Sequence, residues 1–208
     1  MGRWPRVNSS ISRVLLLGLA TGTVERVPHI AVPEGVHGMR SLLAFRPEVA
    51  GPIGTLADVL LHAASTLTRG ERELIASYVS TLNDCTFCAA SHSAIAACHF
   101  DGNEPLVAAV NRDPESAPVS SKLKALLAIA ARVQHGGRSV QDSDIARARR
   151  EGATDVEIHD TVLIAAAFCM FNRYVDGLAA WTPTDPASYR ERARLVAEHG
   201  YAASLPSR

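Results

Sequence analysis
The stretch from Asp155 to about Leu178 constrains the fold most. It reads as one long helix, and its middle, TVLIAAAFCMF, is apolar on every side. A helix that is apolar all round must be buried all round. A chain of 208 residues has little protein with which to wrap one helix on every face, so the pattern predicts burial against another subunit and hence a homo-oligomer. Thr154 followed by Glu157 makes a capping box at the start of this helix, and Thr68 followed by Glu71 makes a second one upstream.

From residue 51 the chain reads as successive helices rich in Ala and Leu at helical spacing. These are IGTLADVLLHAAS, TRGERELIASYVSTL, CTFCAASHSAIAACHF, SSKLKALLAIAARVQH and ASYRERARLVAEH. Asp84 is read as the N-cap of the third, while Gly136-Gly137 and Gly200 close the last two. No alternation typical of strands is present, so the expected class is all-α. Residues 1–40 read as an N-terminal extended arm, with VPHIAVPEGVHG supplying its prolines and glycines, and residues 41–208 as a single helical domain.

Composition excludes several functions. Apolar residues make up 47% of the chain, enough for a real core, and 21 basic residues balance 21 acidic ones. With no sustained basic block, nucleic-acid binding is not expected. The run VLLLGLA at Val14–Ala20 is short and is followed by no tidy cleavage site, so no signal peptide is expected; Val162–Phe171, the longest apolar run, is about half of what a membrane span needs. Four cysteines, at 85, 88, 98 and 169, are too few and too unevenly spaced for a secreted disulfide framework, which favours a cytoplasmic location.

The chemistry concentrates in NDCTFCAASH, residues 83–92. At about 100° per residue, Cys85, Cys88 and His92 fall within an arc of roughly 60°, so two thiols and an imidazole share one helix face. Thiols in a first turn meet unsatisfied backbone N–H groups, which lower a thiol pKa and favour the nucleophilic thiolate. A carboxylate able to orient His92 is Glu73. In one straight helix Glu73 would stand about 18 Å from Cys85, so this pairing demands a chain reversal at Asn83-Asp84. Two other readings of the residues stand beside redox chemistry. Small thiols pack well in Ala-rich helices, as expected for Cys98 and Cys169. Two thiolates with His92 and His99 could also ligate zinc, although His99 stands about 10 Å further along the helix axis than His92.

A glutamate, eleven residues, then C-x-x-C-x-x-x-H, here Glu73, Cys85, Cys88 and His92, resembles the signature of the alkyl hydroperoxidase D-like proteins of the carboxymuconolactone decarboxylase superfamily. The surrounding LTRGERELIASYVSTLNDCTFCAASH is similar to that family's core, and FNRYVDGLA is similar to its peroxidase-related branch. The likeness covers most of residues 40–180. It implies an all-helical, oligomeric bundle in which Cys88 attacks a hydroperoxide, Cys85 resolves it as a disulfide, and His92 with Glu73 relays protons. One position departs, since the family's histidine before the second cysteine is Phe87 here.

The expected function is therefore a thiol-dependent peroxidase acting on an organic hydroperoxide. It would need no cofactor and no metal, and a thiol reductant, lipoyl-bearing or thioredoxin-like, would regenerate it. The alternatives are a decarboxylase-type lyase using His92 as a proton donor, and a non-enzymatic redox sensor. Among neighbouring polar residues, Arg173 and Asp176 are expected to pair at i,i+3, and Trp181 is a candidate for lining a substrate entry.

Overall fold
The computed structural model describes residues 27–202. Among these there are nine α-helices and no strand: α1 Met39–Phe45, α2 Pro47–Leu61, α3 Arg69–Leu82, α4 Thr86–His99, α5 Glu104–Arg112, α6 Ser121–His135, α7 Asp142–Arg150, α8 Asp155–Gly177 and α9 Pro186–His199. The all-helical expectation holds. The second helix begins at Pro47, not at Ile53, because proline at the first helical position lacks only an N–H that would be unpaired anyway. The reading of Val14–Ala20 and the first part of the arm lie outside the described residues.

Helix α3 is the central element and packs on α4, α5, α6 and α8. Its Leu74, Ile75, Ala76 and Val79 are fully buried against Leu126, Leu127 and Ile129 of α6 and Ile164, Ala165 and Phe168 of α8. Both capping boxes form. Thr68 accepts from the Glu71 N–H, and the Glu71 carboxylate accepts from the Thr68 N–H at 2.8 Å. Thr154 and Glu157 repeat the arrangement at α8, where the Glu157 carboxylate also receives Lys122 Nζ at 2.7 Å. One carboxylate thus closes the start of α8 and fastens it to α6.

A smaller apolar cluster sits apart from the main core. Leu42 of α1, Cys85, Cys88 of α4, and Val175 and Ala180 at the end of α8 form it, with Ile30 and Val32 of the arm packed against them. Two backbone bonds hold the arm there, His29 N–H to the Leu178 carbonyl and Gly38 N–H to the Trp181 carbonyl, at 3.0 and 2.8 Å. Gly38 has φ +54, and a Cβ at this position would stand within 2.1–2.3 Å of the Phe87 ring, so the arm turns where no side chain fits.

Within the single chain α8 is covered on all but one face. Val156, Leu163 and Met170 remain 58%, 41% and 50% exposed, and their spacing of seven puts them on one stripe of the helix. The other faces are covered by α3, α6, α1 and α2. Since the Thr154 cap satisfies N–H groups at the start of α8, Thr154→Ala is expected to lower unfolding free energy by about 1 kcal/mol, read from urea denaturation, with Thr154→Ser close to wild type.

Candidate active site
The reversal that brings the motif together is built from the backbone. Asn83 ends α3, and Asp84 takes the left-handed conformation at φ +56. The Asp84 N–H bonds back to the Thr81 carbonyl and the Cys85 N–H to the Ser80 carbonyl, both at 3.0 Å, which is the paired bonding of a Schellman turn. Asp tolerates this conformation better than most residues. Asp84 is therefore not the N-cap of α4, as the sequence suggested. It is spent ending α3, and Cys85 becomes the N-cap without a side-chain bond of its own to the helix.

Cys85 and Cys88 are buried free thiols, three positions apart at the start of α4. The neighbouring Cys85 thiol, followed by burial, raises the Cys88 pKa well above its ordinary value, while the Asn172 side chain pulls the other way. The expected lowering by the helix N-terminus is corrected. Position in the first turn is outweighed by a neighbouring thiol and by apolar surroundings that disfavour a charge. Asn172 is buried and anchored, donating to Ser80 Oγ at 3.1 Å and accepting from Asn83 Nδ2 at 2.8 Å.

Across the hairpin Glu73 and His92 meet as the reversal requires, with Oε2 and Nδ1 2.8 Å apart. Glu73 is fully buried. A residue not singled out in the sequence completes the group. Tyr201, just beyond α9, donates its hydroxyl to Glu73 Oε1 at 2.6 Å and lies 3.2 Å from His92 Nδ1. Burial and the Glu73 charge hold its pKa well above 10, so it remains a donor. With Tyr201 serving one carboxylate oxygen and His92 the other, the proton of His92 belongs on Nδ1, which leaves Nε2 as the basic nitrogen. The Phe168 ring meets His92 edge-on at 4.5 Å and fixes the imidazole plane. In the sequence Gly200 marks only a helix stop; a tyrosine directly after a stop carries no motif, and only the fold brings it 128 positions back to Glu73.

Cys88, His92 and Tyr201 face a common cavity of about 580 Å³, lined mainly by apolar side chains from α1, α2, α4, α8 and α9. Cys85 lies behind Cys88 and is not part of the lining. Phe87 stands in the lining as well, 6.1 Å from the Tyr189 ring. Other expectations resolve differently. Trp181 packs on the His37 ring at 4.1 Å and does not line the cavity. Arg173 turns back to donate to the Cys169 carbonyl at 2.9 Å. His99 faces His62, ring centroids 6.0 Å apart, and does not join the thiols; among the described residues no three His, Cys, Asp or Glu side chains are grouped to hold a metal ion.

Fold and site together define an alkyl hydroperoxidase D-like helical protein. The family model for the carboxymuconolactone decarboxylase family matches residues 47–117 and 106–183, and the chain belongs to that family. Among solved structures it is similar to an uncharacterized peroxidase-related protein from Silicibacter sp. TM1040, at 25% identity and TM-score 0.65 over 72% of this chain and 76% of that one. An alkylhydroperoxidase AhpD core protein from Ralstonia eutropha JMP134, also described as peroxidase-related, gives 25% identity and TM-score 0.65 over 74% and 78%. A protein of unknown function from Agrobacterium tumefaciens shares the fold at 21% identity and TM-score 0.59, over 69% and 97%. No curated protein matches the chain.

The raised Cys88 pKa has a measurable consequence. Alkylation of Cys88 by iodoacetamide, followed by peptide mass mapping, is expected to be slow at neutral pH and to rise with pH through a midpoint above ~8.5, the value of a free thiol. Cys85→Ala removes the largest cause and moves the midpoint down. A wild-type midpoint below that of free cysteine contradicts the assignment.

Proposed function
We propose that the protein is a thiol peroxidase that reduces an organic hydroperoxide through Cys88, with Cys85 as the resolving thiol. The observation that carries this reading is the buried Cys85–Cys88 pair, whose second member opens onto the same apolar cavity as an imidazole held by Glu73 and Tyr201. Two neighbouring buried thiols suit disulfide formation, and a positioned histidine offers the base that a high-pKa thiol needs.

The cycle balances as follows. His92 Nε2 accepts the Cys88 proton, and the thiolate attacks the terminal peroxide oxygen, breaking the O–O bond. The alkoxide leaving group takes the proton back and departs as an alcohol, and Cys88 becomes a sulfenic acid. Cys85 then attacks the Cys88 sulfur, forming the disulfide and expelling water. An external dithiol, carried by a lipoyl group or a thioredoxin-type protein, reduces the disulfide and is itself oxidised. Glu73 stabilises the imidazolium formed in the first step, and Tyr201 keeps that carboxylate in place. Such a cycle belongs in a reducing compartment, in keeping with the cytoplasmic expectation. The working form is a homo-oligomer, with the exposed stripe of Val156, Leu163 and Met170 on α8 as the apolar surface that another copy covers.

Two experiments test this. One equivalent of an organic hydroperoxide is expected to remove two thiols from the reduced wild type, none from Cys88→Ser, and to leave a sulfenate trapped in Cys85→Ser; persistence of both thiols in the wild type overturns the reading. Glu73→Gln keeps the shape and loses the charge, so kcat is expected to fall about 100-fold in a coupled peroxide assay while the circular dichroism melt stays cooperative.

A further inference from the structure
The hydroxyl of Tyr201 reaches Glu73 only if the chain after α9 is held in place, and α2 holds it. Asp58, in the last turn of α2, accepts the Tyr201 N–H on Oδ1 at 2.6 Å and the Ala202 N–H on Oδ2 at 2.8 Å. At the C-cap of the same helix His62 meets the Tyr201 ring edge-on with centroids 5.5 Å apart, and the His92 ring lies nearly parallel to it at 5.9 Å. Two side chains at i,i+4 spacing thus take the backbone and the ring of one residue. Gly200, with φ +83, makes room for the carboxylate, since a Cβ there would stand 2.8 Å from Asp58 Oδ1. A carboxylate beside the end of α9 is unfavourable for that helix, because the carbonyl end of a helix repels negative charge. Its place is explained by the two N–H groups beyond the helix, which it satisfies.

We infer that Asp58 is a positioning residue of the site, which acts through the backbone of Tyr201 to keep the phenol hydroxyl on Glu73, so that His92 faces a carboxylate with one oxygen already engaged. Asp58 does not line the cavity that Cys88 and His92 face. It borders a separate recess with His62, Arg69, Glu198 and His199, so it has no contact with a substrate held beside Cys88. Loss of this seat would leave Glu73 Oε1 buried without the Tyr201 hydroxyl and let the imidazole shift on its remaining bond. Catalysis is sensitive to such shifts, because a reacting group displaced by a fraction of an ångström leaves the productive geometry. The effect on rate rests on the peroxidase reading, in which His92 takes the proton of Cys88. The seating of Tyr201 is independent of it.

The test compares the reduced full-length wild type with Asp58→Ala, Asp58→Asn, Tyr201→Phe and Asp58→Ala/Tyr201→Phe, each first checked for a cooperative melt. The first readout needs no substrate: the ring nitrogen NMR shifts of His92, detected through its carbon-bound protons and assigned by their loss in His92→Gln. Asp58→Ala is expected to move them in the same sense as Tyr201→Phe, and Asp58→Asn, which keeps one acceptor oxygen, to move them less. In the Tyr201→Phe background Asp58→Ala adds nothing. A role confined to stability lowers the melting temperature in both backgrounds and leaves the His92 shifts at their wild-type values, which overturns the proposal. Gly200→Ala keeps the test open if Asp58→Ala does not fold, because it pushes the carboxylate off the segment without removing it; His92 shifts that stay put in that variant overturn the proposal equally. The second readout is thiol loss on addition of cumene hydroperoxide. In Asp58→Ala its maximal rate is expected to fall about 10-fold with the half-saturating peroxide concentration unchanged. A wild-type rate in Asp58→Ala removes this proposal alone. Displaced His92 shifts with no thiol loss in the wild type remove the peroxidase reading alone.

Discussion

A fully buried carboxylate is the constraint around which the site is organised. Taking Glu73 out of water costs several kcal/mol unless its oxygens are matched by donors. The donors come from two different places in the chain, His92 on α4 and Tyr201 after α9, so satisfying one charge requires α3, α4 and the C-terminal segment to be docked together. Helix α9 is accordingly packed on α4, with Val196 and Ala193 buried against Ile95. The same bonds that relieve the buried charge choose the imidazole tautomer, so the folding requirement and the chemistry share one set of contacts.

The register of the α3–α4 pair follows from a second local requirement. A left-handed residue at Asp84 ends α3 and lets α4 return along it, which sets position 92 level with position 73. A further polar contact secures that register, since Ser77 and Ser93 share a hydrogen bond at 2.8 Å and both bind Asn111 of α5. These small side chains let the two helices approach closely while their hydroxyls satisfy one another. Moving α4 by a single residue would separate the serines and leave Glu73 facing a different side chain.

Much of this was readable in the sequence because it rests on local rules. Capping boxes at Thr68 and Thr154, glycine stops at Gly136 and Gly200, and helical spacing of apolar residues depend on neighbours within a turn or two, and all of them are found. The need for a break at Asn83-Asp84 came from distance alone. What the sequence hid was competition between local roles. Asp84 is a good N-cap and also a tolerable left-handed residue, and the choice between them is made by the bonds that Asp84 and Cys85 return to α3. Tyr201 was hidden for a different reason, since it reaches the site from a segment far away in the chain and carries no spacing that marks it. The apolar run on α8 states that a helix avoids water, and it does not state whether the same chain or another copy covers each face.

Phe87 in place of the family's histidine changes the thiol's surroundings in a definite direction. Its ring belongs to the apolar cluster that encloses Cys85 and Cys88, wedged beneath Gly38, where a Cβ would collide with it. A histidine there would bring a polar, ionisable group next to Cys88, whereas phenylalanine adds to the desolvation that holds the Cys88 proton in place. Cys88 is consequently held protonated at rest, and in the proposed peroxidase cycle its proton leaves by a base that is already oriented. In that cycle the chemical burden falls on His92 and, through their hydrogen bond, on the buried Glu73. A thiol kept neutral in this way is poorly reactive toward stray electrophiles, and the proposed cycle makes it nucleophilic only where the imidazole and a bound substrate meet it in the cavity.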